Sequence, residues 1–255
     1  VAFFIQAGVL KALLSAARDR HESHREAVMD HIEGALAAFE VFRTLPPEAI
    51  ETLSRRCHWQ RYLSNQLIVG QHDETRDVFF IVRGKVRVTL YAASGKEVSF
   101  RNLGSGQMFG ELSAIDGQPR SASVIALQEA MMARMPPSVF WTVMEHYPQV
   151  AAAVMRHLVD LVRALSGRVF EFSTLAVKNR IHAELLRLAR EVSRLNSATV
   201  LLSPAPTHAE IASRISTHRE AVTRELNELV RAGLVERCSG GLIIRDIERL
   251  ARLVE

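Results

Sequence analysis

The segment from Phe109 to Val124, FGELSAIDGQPRSASV, combines groups that suit a nucleotide ligand. Gly110 has no Cβ, so the backbone around it can come close to an anion. The Glu111 carboxylate can accept a hydrogen bond from a sugar hydroxyl, and the planar guanidinium of Arg120 matches the geometry of a phosphate. One ribose acceptor and one phosphate donor on the same short segment predict a nucleotide site. The plain alternative is an ordinary salt bridge between Glu111 and Arg120.

A second group of polar residues lies near the carboxy terminus, in a predicted helix-turn-helix. Residues 207–210 and 217–220 both have the spacing of a capping box, so each is expected to begin a short helix, with the turn at Ser216. The polar residues opposite the apolar side of the second helix are Arg219, Glu220, Thr223 and Arg224. Arginine can pair with guanine and glutamate can accept from cytosine, which predicts contact with base edges in DNA. The alternative is a pair of solvent-exposed charged helices.

Two β-structured regions are expected to position these residues. From Trp59 to Met135, short apolar segments separated by glycines predict a β-barrel or jelly roll that contains the first group. Its strand candidates are residues 78–82, 86–90, 98–100 and 122–126. A hairpin from Gly233 to Asp246, turning at Gly240 and Gly241, is predicted after the helix-turn-helix.

Helical spacing of apolar residues is found in the remaining segments. Val1–Ala17 is predicted to be an amphipathic helix too short to span a bilayer, residues 27–42 are predicted to be helical, and a further helix is expected from Pro46 through Cys57. A long helix begins near Gln149, with apolar residues at Ala151, Val154, Leu158, Leu161, Leu165 and Phe172. This spacing predicts a parallel coiled-coil seam between two subunits, and the alternative is a helix packed on its own barrel.

Composition narrows the classes of function. The chain has 255 residues, a formal net charge of +4 and a sequence pI near 9.4, which permits nucleic-acid binding without requiring it. Cys57 and Cys238, the two cysteines of the sequence, lack the spacing of a zinc or iron–sulfur site, so reduced thiols in a cytoplasmic protein and no metal are expected. The sequence has no nucleophile–base pair or phosphoryl-transfer loop, so we do not expect an enzyme.

Residues 109–124 resemble the phosphate-binding cassette of the cyclic-nucleotide-binding domains in Crp/Fnr regulators. Gly110, Glu111, Arg120 and the small residue after the arginine stand at the family's spacing. The resemblance implies that Glu111 binds the ribose 2′-hydroxyl and Arg120 the cyclic phosphate of cAMP or cGMP, which would act as an allosteric ligand. It also implies that Leu112 and Val88 belong to the pocket.

The string Arg219-Glu-Ala-Val-Thr-Arg224 resembles the recognition helix of the same family, which reads TGTGA-like half-sites. The resemblance implies that Ser216, Thr217 and His218 contact phosphates near the start of this helix. At the turn the family usually has glycine where this chain has Ser216, a substitution that costs about 1 kcal/mol if the residue has a positive φ.

The resemblance leaves the base of the nucleotide open. Where a family member presents a Thr-Ser pair to adenine, this chain has Leu165-Ser166, so only the serine is retained. Phe100 and Arg101 fall on the strand that flanks the base, where Arg101 can donate to guanine or else face solvent. Ser121 can reach the guanine amino group. Both cAMP and cGMP are therefore candidate ligands.

We predict an α+β chain with four parts: a helical extension over 1–34, a cyclic-nucleotide-binding jelly-roll barrel over 35–147, a dimerisation helix over 148–174, and a winged helix-turn-helix domain over 175–255. The resemblance implies a bacterial homodimeric transcription regulator that binds a cyclic mononucleotide and then a palindromic site in double-stranded DNA. RNA polymerase is a further expected partner, and no membrane is expected. The alternatives are a vestigial or cyclic-dinucleotide-binding cassette, or a nucleotide sensor that acts through protein partners.

Overall fold

The computed structural model describes residues 34–91, 97–192 and 199–254. The amphipathic helix predicted for Val1–Ala17, and the helical extension over 1–34 apart from its last residue, lie outside these ranges. The described chain begins with two 3₁₀ turns, Ala35–Ala38 and Glu40–Phe42, followed by helix α1, Pro47–Arg56. Cys57 has an extended backbone and is the C-cap of α1, so the predicted helix ends one residue early.

The helix predicted over residues 27–42 is wrong in its described part. Phe39 separates the two 3₁₀ turns with an extended backbone, φ −85° and ψ 130°. Its ring and that of Phe42 both pack on Phe80, with centroid distances of 5.2 and 5.0 Å. Because the backbone is extended at Phe39, residues 35–42 do not form one regular helix, and tertiary packing overrides the helical spacing of the sequence.

Eight strands in the described ranges form a jelly-roll barrel of two antiparallel sheets, which confirms the predicted α+β fold. The sheet orders are β1-β8-β3-β6 and β2-β7-β4-β5. The strands are β1 His58–Tyr62, β2 Leu67–Val69, β3 Val78–Arg83, β4 Lys85–Tyr91, β5 Glu97–Gly104, β6 Met108–Phe109, β7 Ser123–Ala126 and β8 Ala130–Met135. Each of the four strand candidates coincides with one of these strands. Helix α2, Glu111–Asp116, interrupts the barrel between β6 and β7.

Two helices follow the barrel: α3, Pro137–His146, and the 27-residue helix α4, Pro148–Thr174. The predicted seam of α4 is partly wrong, because Val154 is buried in the barrel core and Leu158 packs against it. Its exposed apolar residues are Met155, Val159, Val162, Leu165, Val169 and Phe170. The first half of the predicted seam therefore faces the chain's own barrel, and Leu165 of its second half belongs to the exposed stripe.

The carboxy-terminal unit has a separate core built from helices and a small antiparallel sheet. Its elements are α5 Val177–Val192, β9 Val200–Leu202, α6 His208–Arg214, α7 Arg219–Arg231, β10 Val235–Cys238, β11 Gly241–Ile244 and α8 Ile247–Arg252. The sheet order is β10-β11-β9. Strands β10 and β11 form the predicted hairpin, with Gly240 at φ 79° in its turn. Together α6, α7 and this hairpin confirm the winged helix-turn-helix.

The described ranges contain no helix with both the length and the hydropathy to cross a membrane. Over the same residues, no group of three or more histidine, cysteine, aspartate or glutamate side chains could hold a metal ion. Burial raises the pKa of the Cys57 thiol to about 12. Cys238 is half-buried, and both cysteines are free thiols.

Candidate functional site

Gly110 shapes the turn that leads into α2. Its φ of 86° lies in the left-handed region, where residues with a Cβ are strained. A Cβ at this position would lie 2.6 Å from Arg120 Nη1 and 2.8 Å from the Asp77 carbonyl oxygen. Glycine is therefore required both for the backbone conformation and for the close approach of the arginine.

Arg120 is 3% exposed, and the barrel holds its guanidinium in a fixed position. Nε donates to Thr75 Oγ1 at 3.1 Å, Nη1 to the Gly110 carbonyl at 3.1 Å, and Nη2 to the Asp77 carbonyl at 2.8 Å. The guanidinium also lies 5.6 Å from the ring centroid of Phe79. A guanidinium has five N–H donors, so this arrangement orients the fork and leaves two donors that can serve an anion at the turn.

Glu111, at the start of α2, is 4% exposed and does not pair with Arg120. In the described ranges, Glu111 Oε1 lies 3.7 Å from Nε2 of His157 on α4. The salt bridge across the loop, the plain alternative for these two residues, is therefore wrong. Within the described residues, Glu111 Oε2 is buried and has no hydrogen-bond partner. The carboxylate thus retains the acceptor capacity that a sugar hydroxyl would need.

Val88 and Arg101 are Cα partners across β4 and β5, so their side chains share one face of the sheet. The register shifts next to this pair and places Phe100 at the irregularity. Burial lowers the pKa of Arg101, and the charge of Glu111 opposes this shift. Arg101 is half-buried, so it does not simply face solvent, and its charge interacts with the cassette carboxylate.

Three other predicted ligand residues are exposed in the single chain: Leu112, Ser121 and Ser166. Leu112 is on α2, Ser121 follows Arg120, and Ser166 lies on α4. The structure thus brings Gly110, Glu111 and Arg120 together, with Arg101 nearby. It leaves Leu112, Ser121 and Ser166 open to solvent.

The predicted polar surface of α7 forms a cleft of about 460 Å³. Its lining residues are Arg219, Glu220, Thr223, Arg224, Asn227 and Arg231. Sequence reasoning missed Asn227 and Arg231, although both continue the spacing of three and four residues from Arg224. Arg237 of the hairpin strand β10 donates to Asn227 Oδ1 at 2.7 Å, which ties the wing to this helix.

The turn before α7 differs in part from its prediction. Thr207 and Glu210 form both hydrogen bonds of a capping box, as predicted for α6. The second predicted capping box, at Thr217, is wrong, because His218 is the N-cap of α7 and makes no side-chain capping bond. Ser216 has φ 51°, and Thr217 N donates to the Ala212 carbonyl, so Thr217 still belongs to the turn. The helix therefore begins one residue later than the predicted capping box implied. Ser216, Thr217 and His218 lie before the helix and outside the cleft.

A buried ion cluster joins the long helix to the carboxy-terminal unit. Glu184 of α5 is 1% exposed and accepts from Arg168 of α4 at 3.0 Å and from Arg214 of α6 at 2.8 Å. Arg187 pairs with the same carboxylate and with Glu171 of α4. One buried carboxylate therefore connects three helices, and no short-range sequence pattern identifies it.

The barrel also contacts the helix-turn-helix directly. Arg87 of β4 forms an ion pair with Glu210 of α6, whose carboxylate also closes the capping box with Thr207. Burial acts to raise the pKa of Glu210, but the capping bonds with Thr207 and the charge of Arg87 together lower it. The barrel thus holds the first helix of the motif by a side chain from its own sheet.

Comparisons with known proteins agree with this architecture. Residues 59–147 match the model of the cyclic nucleotide-binding domain, and residues 179–253 match the Crp-like helix-turn-helix domain. The chain is 25% identical over 224 residues to the CRP-like cAMP-activated global transcriptional regulator of Mycobacterium tuberculosis, covering 88% of this chain and 99% of that protein. It is 26% identical over 215 residues to the cyclic AMP receptor protein of Thermus thermophilus, covering 84% of this chain and 95% of the relative.

A solved structure of a CooA variant from Carboxydothermus hydrogenoformans has the same fold. It superposes with a TM-score of 0.69 at 20% identity, covering 79% of this chain and 89% of that one. Both family models fit the two units that the structure shows, and together they match well over half of the sequence. The chain therefore belongs to the Crp/Fnr family of DNA-binding transcription regulators.

Proposed function

We propose that the chain is a homodimeric regulator that binds cAMP or cGMP and, in response, binds a palindromic TGTGA-like DNA site and contacts RNA polymerase. The observation that carries the ligand part is the pairing of an oriented guanidinium with an unused buried acceptor. Arg120 is fixed by three protein acceptors, and Glu111 Oε2 lies buried without a partner in the described residues. A cyclic nucleotide offers a phosphate to the first and a 2′-hydroxyl to the second.

Both purine bases are included in the proposal. Arg101 lies beside Val88 on one face of the sheet, half-buried and within reach of the cassette charge. A guanidinium in this position can donate to guanine O6 and N7, a pairing that arginine favours. The relatives from M. tuberculosis and T. thermophilus are named for cAMP, which supports adenine.

The exposed stripe of α4 supports the dimer. Met155, Val159 and Val162 follow steps of four and three residues, Val169 lies seven residues after Val162, and each is at least half exposed. A parallel pair of helices buries such a stripe, and Ser166 lies between Val162 and Val169 in the same register. In a dimer this serine would face the partner helix, where its hydroxyl could hydrogen-bond a nucleotide base.

The cleft on α7 supports DNA as the partner. Arg219, Arg224 and Arg231 surround an opening that also contains the acceptor Glu220, a combination that suits base edges flanked by phosphates. The two recognition helices of a dimer would then enter half-sites about one helical turn apart. Ligand binding can shift the dimer toward this geometry only through different affinities for its two states.

Replacing Arg219 with alanine should weaken binding to a TGTGA-N6-TCACA duplex by about 1–3 kcal/mol per half-site, because a bidentate base contact is lost. The loss of affinity is measured by fluorescence anisotropy, with the cognate duplex and with duplexes changed at each half-site position. Arg252→Ala, an exposed arginine of α8 outside the cleft, is the matched control. An equal loss on every duplex would identify Arg219 as a phosphate contact and contradict its role in base recognition.

A further inference from the structure

We infer that His157 of α4 completes the sugar subsite of the nucleotide pocket, together with Glu111. This inference rests on the proposed function and adds a residue from the long helix to a site otherwise built from the barrel. The starting observation is that His157 Nε2 and Glu111 Oε2 are both buried and that neither has a hydrogen-bond partner within the described ranges. Buried polar atoms of folded proteins are nearly always satisfied, so two unpartnered atoms on neighbouring side chains indicate a place for a ligand group.

The packing of α4 directs His157 toward the cassette. Val154 and Leu158 seat the helix on the barrel core, and His157 lies three residues after Val154, on the neighbouring position of the same side. Its side chain is 26% exposed, and Nε2 lies 3.7 Å from Glu111 Oε1. This distance is longer than a hydrogen bond, so the imidazole and the carboxylate approach each other without closing the contact.

A hydroxyl group satisfies both sides of this gap. It can donate its proton to the Glu111 carboxylate and accept from the Nε2–H of His157 with its oxygen lone pairs. The ribose 2′-hydroxyl of a cyclic mononucleotide is a group of this kind, and a 2′-deoxy nucleotide lacks it. His157 is therefore a specificity-determining residue for ribose, acting on the hydroxyl that Glu111 holds.

This placement gives the ligand a contact with the long helix of its own subunit. The barrel supplies Gly110, Glu111 and Arg120, and α4 supplies His157, so an occupied sugar subsite joins the two elements. The same helix carries the exposed stripe that includes Val159 and Val162, immediately after His157. A bound nucleotide would thereby contact the helix that is proposed to form the dimer.

The test compares ribose with deoxyribose ligands in the full chain. Calorimetric titrations with cAMP, cGMP and their 2′-deoxy counterparts are made on the wild type, His157→Phe and His157→Gln. His157→Phe keeps a planar ring without the N–H and should lower affinity for the ribonucleotide about tenfold, the equivalent of one hydrogen bond to the hydroxyl. Affinity for the 2′-deoxy nucleotide should not change, and His157→Gln should recover part of the discrimination through its amide N–H.

His58→Phe, the same change at an exposed histidine of β1, should leave both affinities unchanged, and thermal unfolding of each variant shows whether it is folded. An equal loss for ribose and deoxyribose ligands in His157→Phe would assign the residue to packing and overturn the inference. So would an unchanged affinity for the ribonucleotide. A wild type that binds none of the nucleotides would instead refute the proposed function, and the sugar subsite with it.

Discussion

Arg120→Ala should lower affinity for the cyclic nucleotide by at least about a hundredfold, because two hydrogen bonds from a charged donor to the phosphate are lost. The position of Arg120 supports so large an effect. Three protein acceptors hold the guanidinium, so little side-chain freedom is lost when the phosphate binds. Isothermal titration calorimetry of the variant with cAMP and cGMP measures the loss.

Two further variants separate the causes of that loss. Arg120→Lys keeps the positive charge but lacks the planar fork, so we expect it to recover only a small part of the affinity. Arg83→Ala removes an exposed arginine at the end of β3 and should bind the nucleotide like the wild type. Because Arg120 also satisfies the Gly110 and Asp77 carbonyls, thermal unfolding of its variants is needed beside the titration. Unchanged affinity in a folded Arg120→Ala protein would show that the cassette is not used.

Glu184→Gln should lower the free energy of unfolding by about 3–5 kcal/mol, because it leaves buried arginines without their counter-charge. Arg168 and Arg214 both donate to this carboxylate, and Arg214 is itself 6% exposed. Breaking one side of a buried ion cluster costs much more than breaking a surface pair. Urea unfolding followed by far-UV circular dichroism measures the change, with the transition of the carboxy-terminal unit analysed by itself.

Glu171→Gln is the matched control for this substitution. Glu171 belongs to the same cluster and pairs with Arg187, but the two side chains are 27% and 32% exposed. Water screens such a pair, so we expect a loss of no more than about 1 kcal/mol. Similar small losses in both variants would contradict the view that Glu184 anchors the three helices.

The sequence predicts best those parts of the fold whose conformation depends on residues close together in the chain. The cassette from Gly110 to Arg120 contains a turn, a helix start and a return to the barrel within a few residues, so local pattern determines its conformation. The capping box at Thr207 is local in the same sense, and it forms both of its hydrogen bonds. The jelly roll and the winged helix-turn-helix follow from such elements together with the glycine turns.

Errors arose where distant packing decides between two local possibilities. Helix α4 has two apolar sides, one on its barrel and one exposed, and the sequence spacing did not distinguish Val154 and Leu158 from Val159 and Val162. The aromatic contacts of Phe39 with Phe80 come from residues far apart in the chain. Spacing alone cannot reveal such contacts.

The candidate site likewise combines residues that local pattern predicts with residues that only tertiary packing brings together. Glu111 and Arg120 were predicted by residue type and spacing, whereas His157 is 46 positions away from Glu111 in the printed sequence and meets it only through the docking of α4. Glu184 likewise looks like an ordinary helical glutamate until three helices are packed together. Long-range electrostatic partners depend on tertiary geometry, and a single sequence does not supply it.

The most direct test of ligand-dependent DNA binding combines two titrations on one preparation of the full chain. The protein is titrated calorimetrically with cAMP and with cGMP, and binding to the TGTGA-N6-TCACA duplex is then measured with and without each nucleotide. We predict that at least one nucleotide binds and that its presence switches on binding to the duplex. Duplex binding that is the same with and without nucleotide, in a protein that binds neither cAMP nor cGMP, would contradict the proposed regulation.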